Sequence, residues 1–351
     1  MNLPVVNLPG GNPPVVPVRV ALVGAGRIGA SHAAVLAHRV PEAELVAVVD
    51  PRPGAADRVG RPLGARAETS VEDVLLAADV DAVVVAAATT AHAELVTAAA
   101  AHGKHVFCEK PAGMSLTEID AGRAATEEAG VVLQVGFNRR FAADFVAAHD
   151  AVASGRVGKV QLMRSVTRDA GSGPPDPAAV PPWTIFTQTL IHDFDMLNWL
   201  NPGARAVDVV ATADALVAPA FREQGHLDTA VVVVRYDNGA IAVAEASFAA
   251  AYGYDVRGEV FGSAGMVTMG EGSTTSMRLH DTGGRTAATS RSDVELLGDA
   301  YAAELSEFAR AVREGRRAAV TGDDAIAAFA VAEAAIRSMT TGARADVTVQ
   351  P

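Results

Sequence analysis

The sequence predicts a two-part α/β architecture: an N-terminal doubly wound parallel sheet, then a second α/β domain with a large, mainly antiparallel open sheet. Three observations carry this reading. Between residues 18 and 137, short Val-rich runs alternate with helical stretches, as expected of parallel strands buried on both faces. A Gly-x-Gly-x-x-Gly segment links the first run to the first helical stretch. After Phe137, several strand-like runs follow one another with no helix between them.

In order, strands are expected at Val18–Val23, Glu44–Asp50, Asp81–Ala86, His105–Glu109 and Val131–Phe137. Helices are expected at Ile28–Ala37, Ala91–His102 and Leu116–Ala129. The alternation is that of a doubly wound sheet with helices on both faces. The second part opens with a helix over Ala142–Ala153 and a strand over Gly158–Thr167. A Gly/Pro-rich loop over Gly171–Pro182 and a helix over Leu190–Leu200 follow. Strands then come at Val207–Ala215, Asp228–Tyr236, Ala240–Ala249, Val256–Phe261 and Met266–Met269. Asp237-Asn238-Gly239 is a hairpin turn between two of them. Helices near Ala300–Arg313 and Asp324–Met339 close the chain.

A chain of 351 residues, half of them hydrophobic, suits two domains with a sizeable core. The net charge of −12 argues against a nucleic-acid partner, which needs a basic surface. No apolar run is long enough to cross a bilayer, so no membrane partner is expected. Residues 1–17 lack the basic start and apolar stretch of a signal peptide, and their prolines and glycines suggest a flexible leader. The single cysteine, Cys108, cannot form an internal disulfide, which fits the cytoplasm.

Gly24-Ala25-Gly26-Arg27-Ile28-Gly29 has the strand–turn–helix context of a dinucleotide fingerprint. Gly24 would allow the tight turn, Gly26 the approach of a pyrophosphate and Gly29 close packing of helix on strand. Arg27 and Ile28 open the helix whose N-terminus would face the phosphates. Asp50 ends the second strand, where a carboxylate binds ribose hydroxyls and repels a 2′-phosphate, so NAD is favoured over NADP. Arg52 would soften that preference. The chain thus divides into a Rossmann domain over 18–137 and a second domain over 138–351.

Glu109-Lys110-Pro111 follows the strand HVFC, which puts Lys110 at the ligand-binding edge of the sheet. With VALVGAGRIGASHA, EKP, GFNRRF (Gly136–Phe141), IHDFDML (Ile191–Leu197), YGYDVRGEVFGSAGM (Tyr252–Met266) and AYAAELSEF (Ala300–Phe308), the chain resembles the Gfo/Idh/MocA oxidoreductases. It is most similar to their inositol 2-dehydrogenase branch. The resemblance implies an NAD-dependent oxidoreductase acting on a CH–OH group of a cyclitol or sugar. It implies that Lys110 bonds the reacting hydroxyl and the cofactor ribose, beside Glu109, and that His192 is the general acid/base. Asn138, Arg139 and Asp195 would bind substrate, with further contacts from Tyr254 and Tyr301. Thr89, Thr90 and His92 would touch the cofactor. It also implies a homodimer or homotetramer, and the outer face of a long antiparallel sheet does need a cover.

The chemistry suits these residue types. Hydride leaves an alcohol as its hydroxyl proton is removed, and a neutral imidazole accepts such a proton near neutral pH. A nearby ammonium stabilises the developing alkoxide. One departure stands out. Relatives of the inositol branch carry Asp four residues before the histidine, where this chain has Gln188. A glutamine at i−4 would orient the imidazole by a hydrogen bond without offsetting imidazolium charge.

Elsewhere, Gly283–Asp293 reads as a solvated loop. Trp183 and Trp199 read as packing residues, with substrate contact the lesser reading for Trp183. No cluster has metal-ligand spacing. Two alternatives to a net dehydrogenase stay open: a sugar oxidoreductase, epimerase or lyase that recycles a tightly bound NAD, and a non-catalytic dinucleotide-binding sensor.

Overall fold

The computed structural model describes residues 16–171, 180–270 and 273–349. Most of the expected leader and of the Gly171–Pro182 loop lies outside the described residues. In the first domain the chain runs through β1 (Val18–Val23), α1 (Arg27–Arg39), β2 (Ala43–Val49), α2 (Ala55–Gly60), β3 (Arg66–Glu68), α3 (Val71–Leu76), β4 (Ala82–Val85), α4 (His92–Ala101), β5 (His105–Cys108), α5 (Leu116–Glu128) and β6 (Leu133–Val135). The strands form one parallel sheet in the order β3-β2-β1-β4-β5-β6. Strand order reverses between β1 and β4, so a crevice opens at their carboxyl ends, where such sheets bind ligands. Val20, Leu22, Val48, Val84 and Phe107 are fully buried, because helices cover both faces.

The second domain contains α6 (Ala143–Ala153), β7 (Val160–Arg168), a π-helical turn over Ile185–Thr189, α7 (Ile191–Trp199), β8 (Ala206–Asp214), α8 (Pro219–Glu223), β9 (Thr229–Tyr236), β10 (Ile241–Ser247), β11 (Asp255–Gly262), β12 (Gly265–Met269), β13 (Ser273–Asp281), β14 (Gly284–Thr289), α9 (Asp293–Leu296), α10 (Gly298–Glu314), α11 (Gly322–Thr341) and β15 (Ala345–Asp346). Seven strands pair in the order β12-β11-β7-β10-β9-β8-β15. Only β10 and β7 are parallel; the other pairs are antiparallel. Strand β9 alternates strictly: Ala230, Val232, Val234 and Tyr236 face inward, Val231, Val233 and Arg235 outward. Helices α7 and α11 cover the inner face. A capping box between Thr321 and Asp324 starts α11.

Helix α10 reaches back to the first domain, where Leu305, Phe308 and Ala309 join a core with Val20, Leu22 and Phe107. This return fixes the two sheets around one crevice. The segment read as a solvated loop over Gly283–Asp293 instead holds β14, which pairs with β13 in an exposed ribbon. No helix among the described residues is long and apolar enough to cross a membrane.

Candidate active site

The glycine turn meets the geometric demands of a dinucleotide cradle. Gly24 has φ +104°, and a Cβ there would lie 2.5 Å from the Ala86 oxygen. A Cβ on Gly29 would lie 1.8 Å from the Gly24 oxygen. These two glycines are therefore fixed by the fold itself. Gly26 differs: a Cβ there would meet nothing within 4 Å. Its space opens at the N-terminus of α1, where free N–H groups and the positive helix end favour a phosphate. Asp50 accepts the Ala25 N–H at 2.9 Å and a fork from the Arg52 guanidinium at 2.9 and 2.8 Å. The Arg52 hydrogen bonds hold its carboxyl well below the ordinary range, so it is ionised. Arg52 thus pins the carboxylate in place. These residues fit NAD.

Beyond the turn lies a cavity of about 690 Å³ between the domains. Arg27, Ile28, Thr89, His92, Glu109 and Lys110 line it from the first domain, and Asn138, Arg139, Gln188, His192, Tyr254 and Tyr301 from the second. His92 is held between the carbonyl oxygens of Pro111, at 2.8 Å, and Ala87, at 3.1 Å. Lys110 donates through Nζ to the backbone oxygen of Gln188 at 2.8 Å. Burial lowers the pKa of its ammonium; Glu109, Asp293 and Asp169 oppose that, and Arg139 reinforces it. Burial, with the charges of Lys110 and Arg139, pushes His192 well below its ordinary value. Its imidazole is neutral at pH 7, and its buried Nδ1 has no hydrogen-bond partner. Arg139 donates to Asp193 at 2.8 Å and to the Thr167 hydroxyl at 2.6 Å. Ser165 also donates to Asp193. Tyr254 and Tyr301 are pushed up by burial and remain phenols.

Three expectations need correction. Asp195 does not face the cavity: both its oxygens accept from Arg140, at 2.9 and 2.5 Å, so α7 turns that carboxylate into the core. Gln188 does not orient His192. The turn before α7 is π-helical, with Leu190 N–H bonded to the Ile185 oxygen, which shifts Gln188 off the i, i+4 row. Its backbone oxygen serves Lys110 instead. Thr90 is exposed and outside the cavity lining, one residue beyond Thr89. Trp183, at φ 63°, also lies outside the lining.

Two lining carboxylates escaped the sequence reading. Asp169 follows β7 at the start of the Gly/Pro-rich loop, and burial raises its pKa to about 6 against the pull of Lys110. An acid at the carboxyl end of a strand beside such a loop was the available signal. Asp293, at the start of α9, forms a two-point pair with Arg27 at 2.8 and 3.1 Å and ties the glycine turn to the second domain.

Comparison with known proteins agrees with this geometry. Residues 18–137 match the oxidoreductase family with an NAD-binding Rossmann fold, and residues 150–349 match that family's C-terminal alpha/beta domain. The chain is 37% identical to the myo-inositol 2-dehydrogenase of Thermotoga maritima, over 92% of this chain and 96% of that one. It is 36% identical to the inositol 2-dehydrogenase of Rhizobium meliloti, over 92% and 97%. The crystal structure of scyllo-inositol dehydrogenase from Lactobacillus casei, with bound NAD(H) and scyllo-inositol, superposes with a TM-score of 0.90 at 25% identity, covering 95% of this chain and 99% of that one. The chain belongs to the Gfo/Idh/MocA oxidoreductase family, with NAD as its cofactor.

Proposed function

We propose that the chain is an NAD-dependent dehydrogenase of an inositol-like cyclitol, with His192 as general acid/base and Lys110 beside the reacting oxygen. The observation that carries this is the convergence of Lys110, from the end of β5, and His192, from α7, on one cavity that also takes in Arg27 and Ile28 of the glycine turn. The inositol specificity of the relatives supports the substrate class.

When bound, the nicotinamide supplies the hydride acceptor. As the carbinol is oxidised, neutral His192 accepts the hydroxyl proton. The Lys110 ammonium, held by the Gln188 carbonyl, stabilises the alkoxide as it forms. Asn138, whose buried Oδ1 has no partner, and the Tyr254 and Tyr301 hydroxyls bind the remaining ring hydroxyls. Arg139, fixed by Asp193 and Thr167, contributes positive charge. The glycine turn, Asp50, Thr89, His92 and Glu109 hold or back the cofactor.

The enzyme works as a homo-oligomer in the cytoplasm in this reading. Met266, Phe261, Leu162 and Ile241 form an exposed apolar row across the outer face of the second sheet, and a second copy would cover it. The test is an NADH-production screen over inositol isomers, other cyclitols and aldoses. Net NADH is expected from at least one cyclitol, with kcat/KM falling about 1,000-fold, or roughly 4 kcal/mol, in Lys110→Ala. Absence of net NADH, with reduced cofactor retained on the protein, would overturn the reading in favour of a redox cycle closed in situ.

A further inference from the structure

Beside Lys110, at the cavity wall that Glu109 lines, three ionisable side chains meet where α1, the end of β5 and α10 pack together. His32 Nε2 lies 2.7 Å from Glu109 Oε1, and His32 and Glu304 are fully buried. One side-chain nitrogen or oxygen from each of His32, Glu109 and Glu304 lies within 4.8 Å of the other two. Both Glu304 carboxylate oxygens are buried without a hydrogen-bond partner. The other carboxylate oxygen of Glu109 accepts the backbone N–H of Lys110 at 3.1 Å. These residues come from three separate stretches of sequence, and nothing in the mechanism above uses Glu304 or His32.

Two carboxylates this close and this dry cannot both ionise without a cation between them. Glu109 is the one with charge-stabilising partners: the imidazole and a backbone N–H. Glu304 has none. We propose that Glu304 is a positioning residue, holding a proton beside the Glu109–His32 pair so that one carboxylate charge stands next to Lys110 at the domain junction. Burial, then the charge of Glu109, push the Glu304 carboxyl well above its ordinary value, in the same direction. The other groups facing Glu109 are Tyr301 from α10, His92 from α4 and Cys108 from β5. Around Lys110 stand Asp169, Asp293, Arg139 and His192. With glutamine at 188, no carboxylate from the π-helical turn helps to hold the ammonium, which makes the charge on Glu109 matter more.

The inference rests on the assignment of Lys110 to the site, and its test separates the two. Infrared spectra of the full-length enzyme should contain a protonated-carboxyl C=O stretch that disappears in Glu304→Gln. The alkaline limb of the kcat/KM pH profile, which follows loss of the Lys110 proton, should move down by about one pH unit in Glu109→Gln. It should stay in place in Glu304→Gln, where no charge is removed. The inference is overturned if the infrared band survives in Glu304→Gln, if that variant moves the limb as far as Glu109→Gln does, or if one equivalent of a divalent metal bound to wild type is lost in Glu304→Gln. If Glu109→Gln does not fold, the infrared comparison decides alone. Full activity in Lys110→Ala would instead remove the functional assignment and leave the infrared result standing.

Discussion

Replacing Gly26 by alanine separates two jobs of the glycine turn that usually fail together. Gly26 has φ −79° and ψ −167°, a conformation open to any residue, and an added Cβ meets nothing within 4 Å. At a compatible site, Gly→Ala stabilises by about 0.4–1 kcal/mol through the unfolded chain. Against that, glycine is the better helix N-cap, by up to about 1 kcal/mol. These terms nearly cancel, and in a protein of this size a residual 0.5 kcal/mol moves Tm by only about 1 °C. The pyrophosphate, however, needs the space the methyl would fill. Losing one or two charge-assisted hydrogen bonds to it costs about 3 kcal/mol, or a factor of about 100 in Kd. Calorimetric titration with NAD measures this directly. Thermal unfolding gives a second reading: at NAD equal to 100 times the wild-type Kd, the ligand adds about 2.7 kcal/mol to wild type and about 0.4 kcal/mol to the variant. Gly29→Ala is the contrast, because its Cβ would lie 1.8 Å from the Gly24 oxygen and the fold itself should fail. A Gly26→Ala protein that binds NAD within threefold of wild type would refute the assignment of this opening to the pyrophosphate.

Gln188→Asp adds an anion next to the Lys110 contact. It should raise the pKa of His192 and move the acid limb of kcat/KM up by about one pH unit; an unchanged profile in steady-state assays would count against it. Arg140→Ala strands the Asp195 carboxylate in the core and should cost about 3–5 kcal/mol in urea unfolding; a loss under 1 kcal/mol would mean the pair is not what holds α7. The raised pKa of Asp169, about 6 against 3.8 in an unfolded chain, works against stability once the group ionises. Its favourable contribution is present below pH 3.8 and lost as pH rises through 6, so Asp169→Asn should flatten that part of the apoprotein's stability-versus-pH curve in thermal scans.

What could be read from the sequence follows from how each element is buried. Strands β1, β2, β4 and β5 are covered on both faces over most of their length and show as apolar runs, interrupted only by Arg19, Glu44 and His105 at or near the strand starts, while β9 shows alternation because one face is exposed. The β13–β14 ribbon gives no such signal: every residue of β14 is exposed, so no hydrophobic periodicity marks it. Strand β3 and helices α2 and α3 are only three to six residues long, too short for a period to register. Lys110, Arg139 and His192 were readable because each sits in a local motif. Asp195 misled for the complementary reason: helical spacing put it beside His192, and only the fold shows that Arg140 takes its carboxylate. The π-helical turn likewise broke the i, i+4 relation on which the role given to Gln188 depended.

The electrostatics of the cavity bear on what a carboxylate at position 188 would change. Burial and, after it, the charges of Lys110 and Arg139 lower the basicity of His192, and the nicotinamide of NAD+, when bound, would add a further positive charge. An imidazolium formed here would face cations and would have no partner at Nδ1, so it would be a short-lived proton carrier. An alkoxide on the reacting carbon would meet those same cations and be stabilised by them. Each group that makes His192 a weak base therefore makes the substrate hydroxyl a stronger acid, and the two effects offset in the proton-transfer equilibrium. A carboxylate at position 188 would stabilise the imidazolium and weaken the pull on the alkoxide. On the proposed mechanism, catalysis without it would rest more on Lys110 and less on His192. Replacing Lys110 should therefore cost more in kcat than replacing His192 with glutamine, and the opposite order in steady-state assays would place the main catalytic burden back on the imidazole.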